Sequence, residues 1–153
     1  MKTARRAALL ALMALLWATL PARAGPAEEV RALYDRFLAA QNARDPAQVR
    51  AALLDGPRFL WVSDGMSVWS PEATIERMAL FQQAPVWRVE PELERAVAVE
   101  VDPHAAYLHL PLVLVIGPNE RPDRLRFLVS VLGVETAQGW KIAALFTTNA
   151  KGP

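Results

Sequence analysis

The chain contains no cysteine. That excludes disulfide staples, thiolate metal ligands and a cysteine-linked lipid anchor, so stability must come from packing. Long apolar runs are scarce. The one at the start, Ala7 to Leu20, is 14 residues, short of the roughly 20 needed to cross a bilayer. Histidine occurs only twice, and two separated histidines without cysteine argue against a metal site, so neither a metal nor another cofactor is expected. No basic stripe with interleaved aromatics is present, which removes the case for nucleic-acid binding. Internal repeats and low-complexity tracts are absent as well.

What is present begins with an export pattern. Lys2, Arg5 and Arg6 form a basic n-region, Ala7 to Leu20 an apolar h-region, and Ala22-Arg23-Ala24 a small-residue cleavage site after the helix breaker Pro21. This n-h-c order predicts a signal peptide over residues 1–24, leaving no stable membrane anchor after cleavage and a periplasmic or secreted protein. Removing 24 of 153 residues leaves 129, enough for one domain at 25–153 with a real core. The leader carries four of the 17 basic residues and no acid, so the remainder has 13 bases against 16 acids, a net charge of −3. The basic isoelectric point of the whole chain therefore belongs to its leader.

Along the remainder, Val30, Leu33, Tyr34, Phe37 and Leu38 recur at helical spacing, which predicts a helix over Ala27 to Asn42. Asp45-Pro46-Ala47-Gln48 caps a second helix, expected to run to Gly56-Pro57. Arg58 to Ser63 reads as a strand. Asp64-Gly65 is a hairpin signal, and Met66 to Trp69 is the returning strand. Ser70-Pro71-Glu72 opens a third helix through Ile75, Met78, Ala79 and Gln82. After Pro85 the chain reads as sheet. Val86 to Val101 is extended and bent or bulged near Pro91, with Leu93, Val97, Val99 and Val101 on one apolar face. Strands follow at 105–116, 124–134 and 140–149.

The opening helix, the segment FLWVSDG at 59–65 with its SPE-started helix, and the closing GWKIAALFTT at 139–148 resemble the NTF2-like superfamily, in particular SnoaL-like and DUF4440-type small domains. The resemblance covers about Ala27 to Thr148. It implies an α+β cone: three N-terminal helices packed on a curved, mostly antiparallel sheet, with a pocket between them. It also implies that Trp140 faces inward. Period two then places Ile142, Ala144, Phe146 and Thr148 on the same wall. Family members often carry His or Gln where Ala144 or Phe146 stands, so this chain is expected to have an apolar pocket.

Relatives of this shape run isomerase, cyclase or hydratase chemistry, which needs an acid or base in the cone. No Asp or Glu lies within the last three strands, and the candidates left for catalysis are His109, Tyr34 and Asp35. The reading preferred here is instead a domain that binds a small apolar or aromatic molecule, an acidic one if an inward arginine meets it. Its expected ligand contacts are Tyr34, Trp61, Trp87, His109, Arg126, Ser130, Trp140 and Phe146. Arg126 and Ser130 share a strand parity that the resemblance turns toward the pocket, where Arg126 would take an acidic group. Arg95, in phase with Val97 and Val99, is either pocket-facing or the mark of a bulge. The simpler account of the large rings is that they fill the cone. A third reading, an interaction module, rests on the strand at 105–116, apolar on both faces. The resemblance implies a homodimer through the outer sheet face.

Overall fold

The computed structural model describes residues 24–151. The leader at 1–24 lies, but for Ala24, outside them. Helix α1 (Pro26–Asn42) starts with a proline whose missing N–H would have had no partner there, and with Glu28 and Glu29 in its first turn. Val30, Leu33, Tyr34, Phe37, Ala40 and Gln41 form its buried stripe. Helix α2 (Pro46–Ala52) is capped by Asp45, which accepts from the Gln48 amide at 3.0 Å. It ends four residues earlier than the sequence suggests, because Leu53 leaves the helix to bridge Ile142 in parallel. Helix α3 (Pro71–Phe81) is capped by Ser70, whose Oγ accepts from the Ala73 amide. Its buried side is Pro71, Thr74 and Met78 rather than the Ile75–Ala79 stripe.

The strands are β1 (Leu60–Ser63), β2 (Met66–Trp69), β3 (Val86–Pro91), β4 (Val97–Asp102), β5 (Ala105–Gly117), β6 (Asp123–Thr136) and β7 (Gly139–Asn149). They form one sheet in the order β2-β1-β7-β6-β5-β3, with β4 also on β5. All pairings are antiparallel except β1 on β7. Asp64 and Gly65 both have positive φ in the β1–β2 turn, the conformation an Asp-Gly hairpin supplies. The stretch from Val86 is interrupted, as its proline suggests, but by a 3₁₀ turn at Leu93–Arg95, so β3 and β4 occupy successive halves of the same β5 edge.

Helix α1 lies across the inner face of β3 to β7. Its C-terminal end is bolted to β3: Asn42 donates to the Val89 carbonyl at 3.0 Å and accepts from the Val89 amide at 2.7 Å. The Gln41 carbonyl accepts from Trp87 and from Gln82, and Arg44 donates to the carbonyls of Gln82, Ala84 and Pro85. This corner fixes the end of α3 against α1 and β3. At the other end, Val30 sits on Gly133 beside Trp140, where a Cβ on residue 133 would come within 2.8 Å of Val30.

Two parities differ from the sequence expectation. At β4, Ala98 and, just before the strand, Ala96 pack toward the core, while Val97 and Val101 are exposed. The close approach of α1 selects the small residues, and Leu93 belongs to the 3₁₀ turn rather than to that face. On β7, Leu132 faces Ala144 but Gly133 faces Ile142, so Ala143 is an extra residue in a bulge. Trp140 and Ile142 face inward as expected. Beyond the bulge Leu145, Thr147 and Asn149 take the inward parity, and Ala144, Phe146 and Thr148 pair on the outward parity of β6, although Thr148, at the strand end, still borders the cavity.

Candidate functional site

Between α1, α3 and the inner sheet face is a cavity of about 720 Å³. Ligand sites typically measure roughly 300–1,000 Å³, so the rings do not fill the cone. Helix α1 contributes Tyr34, Phe37 and Gln41. Helix α3 contributes Arg77, Met78 and Phe81, and the β1–β2 hairpin Trp61, Ser63 and Asp64. Trp87 and Val89 of β3, Leu112 and Leu114 of β5, Leu125, Phe127 and Val129 of β6, and Leu145 and Thr147 of β7 complete the wall. On β3, β5 and β6 the lining residues alternate, as side chains on one sheet face do, whereas consecutive residues line the cavity at the hairpin (61–65) and at the end of β7 (147–149).

The walls grade from deep to open. Tyr34 and Phe37 are 2% and 1% exposed, whereas Phe81 and Leu125 are 39% and 44% exposed. The deep end is therefore at α1, and the mouth at the end of α3 and the start of β6. The Tyr34 and Phe37 rings lie 6.1 Å apart, tilted. Burial, and secondarily the charge of Asp35, raises the Tyr34 hydroxyl well above the usual phenolic range, so it stays protonated at neutral pH. Trp61 is anchored by its indole N–H, which donates to Thr147 Oγ1 at 3.3 Å. Trp87 is anchored on the Gln41 carbonyl at 3.2 Å.

Arg77 stands out on this wall. Its guanidinium carbon lies 5.6 Å from the Trp61 ring centroid and 5.2 Å from that of Phe81. Such contacts are worth about 0.5–2 kcal/mol each depending on desolvation. Its Nε is buried without a hydrogen-bond partner. Tyr34, Asp64 and Arg77 are the only titratable side chains lining the cavity among the described residues.

Of the residues expected from sequence, Tyr34, Trp61 and Trp87 line the cavity. His109, Arg126 and Ser130 do not. They lie on the outer face of the sheet because the inward residues are the even ones on β5 and the odd ones on β6. There His109 Nδ1 is 2.9 Å from Ser130 Oγ, and Arg126 is 3.5 Å from a Glu92 oxygen. Phe146 is displaced to the same outer side by the Ala143 bulge. Trp140 faces inward but at the narrow end, under α1 and away from the cavity. Asp35 is exposed on the outer side of α1. Arg95 is exposed in the 3₁₀ turn and pairs with Glu92. Sequence reasoning missed Arg77. The signal was there: Phe81 follows it by four positions and Thr74 precedes it by three, which puts it beside the buried stripe of α3.

The SnoaL-like domain family matches residues 30–145 of the chain. No curated protein matches it in sequence. In three dimensions the chain is similar to an uncharacterised protein with a cystatin-like fold from Caulobacter vibrioides, with TM-score 0.68, 19% identity, and 82% of this chain and 90% of that one covered. It is also similar to a candidate dehydratase of the NTF2-like family from Streptomyces avermitilis, with TM-score 0.72, 12% identity and coverage of 82% and 96%. A third such structure is an NTF2-like superfamily protein from Salmonella enterica serovar Typhimurium, with TM-score 0.70, 13% identity and coverage of 83% and 93%. At these identities the likeness is one of fold.

Proposed function

The chain belongs to the SnoaL-like domain family, and from that premise we propose that it binds a small, largely apolar or aromatic molecule in the cavity beneath α1 and α3. The observation that carries this reading is the cavity itself: about 720 Å³, open at one end, with a wall of aliphatic and aromatic side chains broken by few polar groups. Such a composition favours burial of an apolar body and leaves orientation to the polar groups. Binding is preferred over isomerase, cyclase or hydratase chemistry because, among the described residues, Asp64 is the only carboxylate on the wall and it sits in the hairpin turn.

Replacing Leu114, half-buried on the wall, by tryptophan is the direct test. Thermal-shift screening of aromatic and aliphatic compounds should give hits for the native chain. Those hits should weaken by about tenfold or more in L114W, since the indole, though too small to fill the cavity, projects into the ligand's path and keeps the wall apolar. Hits equally tight in L114W would place binding elsewhere, and a complete lack of hits would count against the reading.

We further propose that the domain works after export, on the n-h-c pattern of its first 24 residues, and as a homodimer. The outer sheet face, where Tyr107 and Phe146 are 41% and 44% exposed, is the surface a second copy would cover. Intact-mass analysis and light scattering on the exported fraction should give a chain starting at Gly25 and a dimeric mass. A start at Met1 would remove the first proposal, and a monomer at high concentration the second.

A further inference from the structure

The arginines of the described chain follow a pattern that one of them breaks. Arg50, Arg88, Arg95, Arg124 and Arg126 pair with carboxylates. Arg31 and Arg44 donate to main-chain carbonyls. Arg36, Arg58 and Arg121 are exposed to water. Arg77 is half-buried in the cavity wall, and its Nε is shielded from solvent with nothing to donate to. A guanidinium carries five N–H donors and no acceptor, and a ring contact satisfies its face but not its N–H edge. The shielded Nε is closed to a ligand as it is to water; the donors left for an acceptor in the cavity are those on the two terminal nitrogens, which are not shielded and, among the described residues, have no hydrogen-bond or ion-pair partner.

We infer that the occupant of the cavity is a monocarboxylic acid, with its carboxylate on Arg77 and its apolar body directed inward along Phe37, Leu112 and Val129. This rests on the reading of the cavity as a ligand site and adds the class of ligand. Contact with Trp61 and Phe81 restrains the guanidinium plane, which is what two-point recognition of a planar carboxylate requires. The charge count selects a monoanion. Among the described residues Arg77 is the only cation on the wall, and Asp64, on the same wall, opposes a second negative charge. The depth gradient sets the orientation. Arg77 neighbours Phe81 at the mouth, so the acid keeps part of its hydration while the hydrocarbon goes deep. The cation that the sequence suggested on β6 is thus supplied from α3.

The test is a matched-pair titration on the native chain, using 1-naphthaleneacetic acid against its primary amide and decanoic acid against decanamide, followed by calorimetry at pH 7. Each acid should bind about tenfold or more tightly than its amide, as a charge-assisted hydrogen bond exceeds a neutral one. Arg77→Met should bring the pair to within about threefold, and Arg77→Lys should keep part of the preference. Should Arg77→Met fail to fold, the side-chain Nε–H resonance of Arg77 in the native protein gives the answer. It should move with the acid and not with the amide. Equal affinity of acid and amide for the native chain, a preference that survives Arg77→Met, or an Arg77 resonance unmoved by bound acid would overturn the inference and leave the cavity reading standing. Binding of neither member of any pair would overturn both.

Discussion

Trp61→Ala should lower the unfolding free energy by about 3–5 kcal/mol, toward the lower end because part of the vacated space joins an existing cavity. Trp61 is buried on β1, which joins the sheet only through its parallel pairing with β7 and its hairpin with β2. The indole packs inward beside Leu145, donates to Thr147, and offers its face to Arg77. Truncation removes all three interactions from the element that forms one side of the cavity wall. Trp69, at the far end of the same hairpin, is 56% exposed. Trp69→Ala should therefore shift stability by no more than about 0.5 kcal/mol. Urea denaturation followed by circular dichroism reads both. A Trp61→Ala loss below 1 kcal/mol, or a Trp69→Ala loss as large as that of Trp61→Ala, would mean that the hairpin is not docked on β7 as described.

Gly133→Val should cost about 3 kcal/mol, the upper end for overpacking. The backbone at 133 does not have positive φ, so strain is not the reason glycine is needed there. Space is. A Cβ would stand 2.8 Å from Val30 Cγ2 and 3.5 Å from Trp140 Cε3. The helix would have to lift from the sheet at the narrow end, and with it the stripe that ends in the cavity wall. The steric origin has a signature. Val30→Ala, destabilising alone, should become less so in a Gly133→Ala background, with a coupling of about 1 kcal/mol. Strictly additive losses in that double-mutant cycle would show that the two residues do not meet.

The elements whose chemistry is local were legible from sequence. Asp45 and Ser70 cap the helices they were expected to cap, and Asp64-Gly65 makes the hairpin turn. The stripe on α1 faces the sheet because spacing in a helix is set by the helix alone. What was not legible depends on partners distant in sequence. Nothing in the β7 sequence marks Ala143 as a bulge; the extra residue is defined only by its pairing with β6. Counting by twos from Trp140 therefore assigned Phe146 to the wrong wall. On β4 the larger side chains drew the inward assignment, but α1 comes so close that only Ala96 and Ala98 fit beneath it. The site was half legible. Tyr34, Trp61 and Trp87 carry enough apolar area to announce burial, while His109, Arg126 and Ser130 rested on a parity that pairing reversed. A charged residue on a helix is usually solvated, which outweighs the spacing of Arg77 to Thr74 and Phe81 until the packing of Trp61 and Phe81 against it is seen.

The extra residue in the last strand makes that segment unequally tolerant of two kinds of genetic change. A point substitution beyond residue 143 alters one side chain. Gain of a codon there, or loss of one beyond Leu145, rotates every following residue half a turn and brings outward residues such as Phe146 to the concave wall, whereas loss of Ala143 or Ala144 only removes the bulge and leaves Leu145 opposite Val131. Diversification of the lining by substitution is open to this chain, and so is shortening at the bulge, whereas other length variation in its final strand needs a compensating change nearby.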